Sequence, residues 1–127
     1  MDTNAYSDWV SGGCWVEEIA RAEELVIPAI VLGELREGFL RGNRAAWNEQ
    51  NLMNVLEQSA VNVAEIKQST SHHFAAFKKY LRDAGSPIPE NDVWIAACCY
   101  EHGGLLLTRD KHFKNLPQVR VKWLGAE

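Results

Sequence analysis

The sequence predicts an α/β fold with a parallel sheet. Short runs of β-branched and other apolar residues alternate with longer amphipathic stretches, which is the pattern of strands separated by helices. Helices between successive strands favour right-handed crossovers, and such crossovers connect parallel strands. No internal repeat or low-complexity segment interrupts this alternation. Each element can therefore be assigned in order along the chain.

The first predicted strand is the apolar run Leu25 to Ile27. Pro28 suits the first turn of the helix that follows, because proline lacks the amide hydrogen that a helix start leaves unpaired. This helix carries Glu34 one turn from its start, among apolar residues. Residues 44–58 form the next predicted helix, with Trp47 among its apolar contacts.

The middle of the chain contains a second strand and two more helices. Residues 61–64 are predicted as a strand, and residues 65–84 as a long amphipathic helix. After a proline-containing loop, Asn91 is predicted to cap the next helix through its side-chain oxygen. That cap places Asp92 in the first turn of this helix.

Two strand candidates remain near the C-terminus. Residues 105–108 are predicted as a buried strand, Asp110 opens a short turn or helix after it, and residues 119–123 supply the last strand. In an open parallel sheet the functional crevice lies beyond the carboxyl ends of the strands. Since Asp110 and Glu34 both follow predicted strands, we expect both at that edge.

Four acidic residues occupy junctions between predicted strands and helices: Asp2, Glu34, Asp92 and Asp110. Carboxylates held roughly 5 Å apart at an effective dielectric of about 20 repel by about 3 kcal/mol per pair, so such a cluster persists mainly by protonation or by cation binding. Oxygen ligands suit Mg²⁺ or Mn²⁺, and a metal-bound water could attack a phosphorus atom. Each acid alone has an ordinary structural explanation; their joint placement predicts a metal site.

The composition indicates one compact domain over residues 1–127, because 46% of the residues are apolar and no long proline, glycine or serine tract divides the chain. The longest apolar runs fall short of the roughly 20 residues that span a bilayer. The N-terminal residues lack the basic and apolar parts of a secretory signal. We therefore expect a single domain, no membrane partner and a cytoplasmic location.

The cysteines give no sign of a disulfide framework or a zinc site. Cys14 stands alone, and the adjacent Cys98 and Cys99 do not form a C-x-x-C pair. Cys98 and Cys99 lie in an apolar helical segment, where a free cysteine usually behaves as a small buried hydrophobe. We expect all three thiols to be reduced.

The formal net charge of −4 argues against a globally basic surface for nucleic acid. Local charge can differ, because bound divalent cations would offset the four carboxylates. Cations near the acids in sequence could then face a polyanion. These cations are Arg36, Arg41, Arg44, Arg109 and Lys111.

Four motifs follow one another along nearly the whole chain: D-T-N-A-Y, L-G-E-L-x-x-G, N-D-x-W-I-A-A and L-L-T-R-D-x-H-F. In this order and spacing they resemble the motifs of PIN-domain ribonucleases, and most closely those of the VapC-type toxin branch. The last two motifs are the most specific, because they combine acids, a tryptophan and small residues in fixed spacing. The resemblance implies a three-layer α/β/α sandwich around a central parallel sheet.

The resemblance also implies an activity, its residues and its partners. The acids that match the family's metal ligands are Asp2, Glu34, Asp92 and Asp110. Asn4, Asn91 and Thr108 match residues that support those acids or the substrate, and Arg109 is a further candidate contact to phosphate. The implied reaction is Mg²⁺- or Mn²⁺-dependent endonucleolytic hydrolysis of RNA. A VapB-type antitoxin and a second copy of the chain, in a homodimer, are the implied protein partners.

The start of the sequence departs from the family pattern. The family carries several apolar residues before D-T-N, which form the central strand, whereas only Met1 precedes Asp2 here. Burying about four apolar side chains contributes roughly 6 to 12 kcal/mol, comparable to the whole stability of a small domain. We therefore expect a truncated first strand and a translation start upstream of Met1; a weakened family member is the alternative.

Two other functions are compatible with these observations. A truncated first strand could leave a binding module that sequesters antitoxin without cleaving RNA. The same metal ions could also activate water against DNA or small phosphate esters. Comparing RNA, DNA and phosphate esters as substrates separates these functions from the ribonuclease.

Overall fold

The computed structural model describes residues 1–13 and 15–125. Helices and strands alternate along this part of the chain, as the sequence predicts. The elements in chain order are α1 (Thr3–Gly12), α2 (Val16–Ala20), β1 (Leu25–Pro28), α3 (Ala29–Arg41), α4 (Ala45–Leu56), β2 (Val61–Ala64), α5 (Gln68–Ala84), α6 (Glu90–His102), β3 (Leu106–Thr108), the 3₁₀ helix η1 (Lys111–Asn115) and β4 (Val121–Trp123). Cys14 lies outside the described residues, so its reduced state stays a prediction.

The four strands form two parallel pairs. β1 pairs with β2 in a register that sets Leu25 opposite Val61, and β3 pairs with β4 in a register that sets Leu106 opposite Val121. α3 and α4 supply the crossover that joins the parallel strands β1 and β2. The predicted α/β architecture with parallel strand pairing is confirmed.

Met1 and Asp2 lie between the two strand pairs. The Met1 amino group donates to the carbonyl oxygen of Val26 in β1 at 2.7 Å, and the Asp2 amide donates to that of Leu107 in β3 at 3.2 Å. Within the described residues, the sheet is therefore divided into two pairs that this short segment bridges.

Besides shifts of up to three residues at the ends of several elements, three positions differ from the sequence-based assignment. Pro28 ends β1 and precedes α3 in an extended conformation, so the helix begins one residue later than predicted. The predicted cap at Asn91 is wrong: Pro89 is the N-cap of α6, because its ring fixes an extended residue just before the helix. Trp47 is 56% exposed rather than buried, and the Arg44 guanidinium lies 4.1 Å from the centre of its ring.

The helices α1 and α2 have no counterpart among the predicted elements. α1 begins directly after Asp2, whose Oδ1 accepts a hydrogen bond from the Ala5 amide at 3.0 Å and so caps the helix. An aspartate cap is a recognised helix-start signal. Asp2 was predicted as a metal ligand only, so the helix that it caps was not predicted.

Helix α6 is the most buried helix of the core. Residues 95–99 are shielded from solvent, and both cysteines in this range are free thiols, as expected. α6 packs on β1, β2 and α5, where the rings of Trp94 and Phe74 stack with their centres 3.9 Å apart. This burial fixes Asp92, in the first turn of the helix, relative to the strands.

Across the described residues, the longest helices are either too short or too polar to cross a membrane.

Candidate active site

The four acids predicted as metal ligands come from four separate elements. Asp2 precedes α1, Glu34 lies within α3, Asp92 lies in the first turn of α6, and Asp110 precedes η1. α1 packs on α3 and β3, and α6 packs on α3 and η1, so the elements meet near the end of β3, where Thr108 is completely buried. The site is therefore assembled by tertiary packing and not by any one segment of the chain.

Thr108 links the first acid to the last. Its hydroxyl donates to Oδ2 of Asp2, while the Asp110 amide donates to the same hydroxyl oxygen at 2.9 Å. Asp2 is 5% exposed, and burial raises the pKa of its carboxyl, although the hydrogen bonds from Thr108 and Ala5 act in the opposite direction. Thr108, predicted to support the acids, therefore contacts both Asp2 and Asp110 directly.

His112 lies between Asp92 and Asp110. Its Nδ1 is 3.2 Å from Oδ2 of Asp92 and 3.2 Å from Oδ1 of Asp110, and its amide donates to the latter oxygen at 2.9 Å. These three side chains can offer ligand atoms that all lie within 4.8 Å of one another. His112 was not among the predicted site residues, although the D-x-H spacing of the last motif contained it.

The acids influence one another electrostatically. Burial is the main cause that raises the pKa of Asp92, and the carboxylates of Asp110 and Glu34 raise it further, while His112 lowers it. Asp110 also contributes to the raised pKa of Asp2. All four carboxylates therefore belong to one electrostatic cluster, which a bound cation would relieve.

Glu34 is held by two side chains. The Thr3 hydroxyl donates to Oε1 at 2.5 Å, and the Asn91 amide donates to Oε2 at 3.3 Å. The Asn91 side chain thus contacts an acid and does not cap the helix; its role in the site stays a prediction. Thr3 was missed; its only signal in the sequence is its place inside the D-T-N motif. These two residues and Glu34 also line an open cleft beside the cluster.

Among the described residues, the side chains of Asn4 and Arg109 form no hydrogen bond or ion pair with the four acids. Asn4 is exposed, and the amide that orders Asp2 is that of Ala5. The Nε of Arg109 lies 3.0 Å from Oδ2 of Asp8 on α1, which was not predicted. A contact of Asn4 or Arg109 with substrate stays a prediction.

Most of the cations predicted to face a polyanion have partners within the protein. Arg36 forms three hydrogen bonds to Glu49, and Arg41 lies 2.7 Å from Glu37. Arg44 lies over the Trp47 ring. Their charges are partly offset, so these three arginines are weak candidates for binding RNA.

The donor set fits a divalent cation. Carboxylate oxygens suit Mg²⁺ and Mn²⁺, and an imidazole nitrogen suits Mn²⁺ and later transition metals better than Mg²⁺. Cis ligands at about 2.1 Å from an octahedral ion are roughly 3.0 Å apart, close to the 3.2 Å that separates His112 Nδ1 from each neighbouring carboxylate oxygen. The arrangement can therefore hold a small cation without large side-chain movement.

Fold and site together define an α/β domain with parallel strands and a cluster of carboxylates gathered from several elements. Residues 1–119 match the model of the PIN domain family. The chain belongs to that family, as its motifs predicted.

Several relatives are similar to the chain over most of its length. It is 30% identical over 95 residues to Ribonuclease VapC4 of Mycobacterium tuberculosis, which covers 75% of this chain and 73% of that protein. The structure of VapBC2 from Rickettsia felis bound to a promoter DNA fragment has a TM-score of 0.84 at 21% identity, covering 97% of this chain and 96% of that one. VapBC-1 from nontypeable Haemophilus influenzae has a TM-score of 0.85 at 22% identity, covering 96% and 94%. At these identities the structural matches show the shared fold.

Proposed function

We propose that this protein is a divalent-metal-dependent endoribonuclease toxin of the VapC type, held inactive by a VapB-type antitoxin. The observation that carries the proposal is the cluster in which Asp92, Asp110 and His112 bring ligand atoms within 4.8 Å of one another. The family membership and the ribonuclease named among its relatives support RNA as the substrate.

Asp2, Glu34, Asp92 and Asp110 would hold Mg²⁺ or Mn²⁺. Such an ion supplies a more acidic water and a positive charge next to a phosphodiester. The other residues orient the acids: Thr108 positions Asp2 and Asp110, while Thr3 and Asn91 position Glu34. Orientation matters because a displaced ligand loses most of its contribution to ion binding.

The partners follow from the same relatives. Structures of VapBC complexes contain chains with this fold, which supports a VapB-type antitoxin as the partner. A homodimer and a cytoplasmic location are part of the proposal. RNA, DNA and phosphomonoesters are all compatible with metal-assisted hydrolysis, so the choice of RNA needs a direct test.

The test is cleavage of total RNA by the purified protein with Mg²⁺ or Mn²⁺, beside a chelator and the variant Asp92→Asn. Asp83→Asn is the matched control, because Asp83 is an exposed acid that pairs with Lys79 on α5, outside the cluster. We expect the chelator and Asp92→Asn to abolish cleavage, and Asp83→Asn to retain it. DNA and a phosphomonoester are run in parallel as competing substrates.

Retained cleavage by a folded Asp92→Asn would contradict the proposal. Antitoxin binding without any nuclease activity in the folded wild type would instead favour the binding-module alternative. Hydrolysis of DNA or of the phosphomonoester in preference to RNA would reassign the substrate class.

A further inference from the structure

Basic and aromatic side chains line a groove that includes both sequence neighbours of Asp110. Residues that line it include Trp15, Arg109, Lys111, Lys114, Trp123 and Gly125; we call it the basic groove. It begins at the two neighbours of Asp110 in sequence. Lys114 lies one turn of η1 beyond Lys111, about 6 Å along the helix axis. Asp110 lies between two residues that line the groove, so the groove adjoins one of the four acids.

The charge of the basic groove contrasts with that of the whole protein. The formal net charge is −4, yet no acidic side chain is among the described residues that line the groove. Arg109 is partly offset by Asp8 at 3.0 Å. Lys111 and Lys114 are exposed, and neither forms an ion pair with any residue in 1–13 or 15–125. Two lysines are therefore available to an anion.

The aromatic wall of the groove consists of Trp15 and Trp123, and Trp15 is closely packed. Trp15 has a φ of 67°, in the left-handed region that side-chain-bearing residues rarely adopt. Its ring lies so close to Gly125 that a Cβ there would be 2.6 Å from the ring carbon Cη2, and Gly125 itself has a φ of 69°. The Nζ of Lys114 lies 5.5 Å from the centre of the Trp123 ring. The Trp15 ring therefore leaves no room for a side chain at residue 125.

We propose that the basic groove binds the single-stranded RNA segment next to the bond that is cleaved. This inference rests on the ribonuclease function proposed above. Phosphates would contact Lys111 and Lys114, and a base would stack on the indole of Trp123, which is the combination that non-specific single-strand sites use. An acidic peptide could use the lysines, but it would gain little from the aromatic wall, so RNA is the better fit.

Binding is tested on the Asp92→Asn protein with a chelator present, so that no RNA is cut and the result does not depend on activity. The probe is a fluorescent single-stranded RNA of about 12 nucleotides, within the usual range of site sizes. The double variant Lys111→Gln, Lys114→Gln is compared with Lys79→Gln, Arg82→Gln, which removes the same charge from α5 outside the groove.

Each phosphate contact that is lost lowers the slope of log affinity against log salt by about 0.7 for single strands, so the groove double variant should lose about 1.4 from the slope. The α5 variant should keep the slope of the parent. Trp123→Leu should lower the affinity by about 5- to 150-fold and leave the slope unchanged, since stacking is uncharged. Thermal unfolding of each variant checks the fold, and Trp123→Phe, which retains a stacking ring, should recover most of the affinity.

Equal salt slopes for the groove and α5 variants would overturn the inference. So would binding of poly-glutamate to the groove as tight as that of RNA, because it would assign the surface to an acidic protein segment. If the wild type cleaves RNA but the groove variants bind RNA as tightly as the parent, the proposed ribonuclease function would be retained. Only the assignment of RNA binding to the groove would then be refuted.

Discussion

Thr108 donates its hydroxyl hydrogen to Oδ2 of Asp2, although 106 positions separate the two residues in sequence. The same hydroxyl oxygen accepts the Asp110 amide hydrogen at 2.9 Å. Thr108 is fully buried and Asp2 is 5% exposed, so water cannot readily replace either contact. One hydroxyl therefore sets the position of two of the four proposed metal ligands.

Thr108→Val should lower the free energy of unfolding by about 1 to 3 kcal/mol, because it leaves a buried carboxylate oxygen and a backbone amide without partners while keeping the side-chain shape. Chemical denaturation measures the change. Thr108→Ser is the matched control, since it retains the hydroxyl and should recover most of the contact energy. Equal stability of Thr108→Val and the wild type would mean that the hydroxyl does not hold the site together.

His112→Ala should weaken Mn²⁺ binding by about 10- to 100-fold and Mg²⁺ binding by less. The reason is that its imidazole nitrogen lies 3.2 Å from both Asp92 and Asp110, and nitrogen ligands favour Mn²⁺ over Mg²⁺. Calorimetric titration of each ion measures the affinities without requiring activity. His72→Ala, an exposed histidine on α5, serves as the control. Parallel losses for the two ions would exclude a ligand role for His112.

The pair Arg36 and Glu49 should make a small, pH-dependent contribution to stability. Hydrogen bonds from Arg36 lower the pKa of Glu49, so the folded state binds a proton less readily than the unfolded state. The stabilisation is thus present above the ordinary glutamate pKa and is lost as the pH falls through the lowered value. Both side chains are about 40% exposed, so solvent screening limits the effect to about 0 to 1 kcal/mol.

A double-mutant cycle with Arg36→Gln and Glu49→Gln measures that coupling by urea denaturation. We expect a larger coupling at neutral pH than at an acid pH below the lowered pKa of Glu49, and a coupling that shrinks in high salt. A coupling of the same size at both pH values would show that the charge of Glu49 does not contribute.

Cys98 and Cys99 should resist alkylation while the protein is folded. Burial raises the pKa of the Cys98 thiol to about 11 and also raises that of Cys99, and both side chains are almost inaccessible. Because the thiolate is the reactive form, iodoacetamide at about pH 8 should leave both unmodified until denaturant is added. Peptide mass spectrometry locates the modification. Rapid labelling of either thiol in the native protein would show that α6 opens readily.

The sequence was sufficient for the parts of the site that motifs carry. It placed Asp110 before a short turn or helix, Asp92 in the first turn of α6 and Glu34 in α3, because local patterns of apolar residues set these positions even where the predicted cap, Asn91, was wrong. It also identified Thr108 and Asn91 as supporting residues through the family motifs. It did not predict α1, whose cap is the same Asp2 carboxylate that was interpreted as a metal ligand.

The sequence by itself determined the α/β class and the parallel pairing, since these follow from periodicity and from the alternation of strands and helices. The four acids as metal ligands stay a prediction from their placement and from the family motifs. Only the tertiary structure decided that His112 lies between two acids, that Thr3 holds Glu34 and that Arg109 pairs with Asp8. Contacts such as that of Thr3 with Glu34 join residues 31 positions apart and leave no periodic trace in the sequence. They depend on how the helices pack around the strands, and packing is a property of the whole fold.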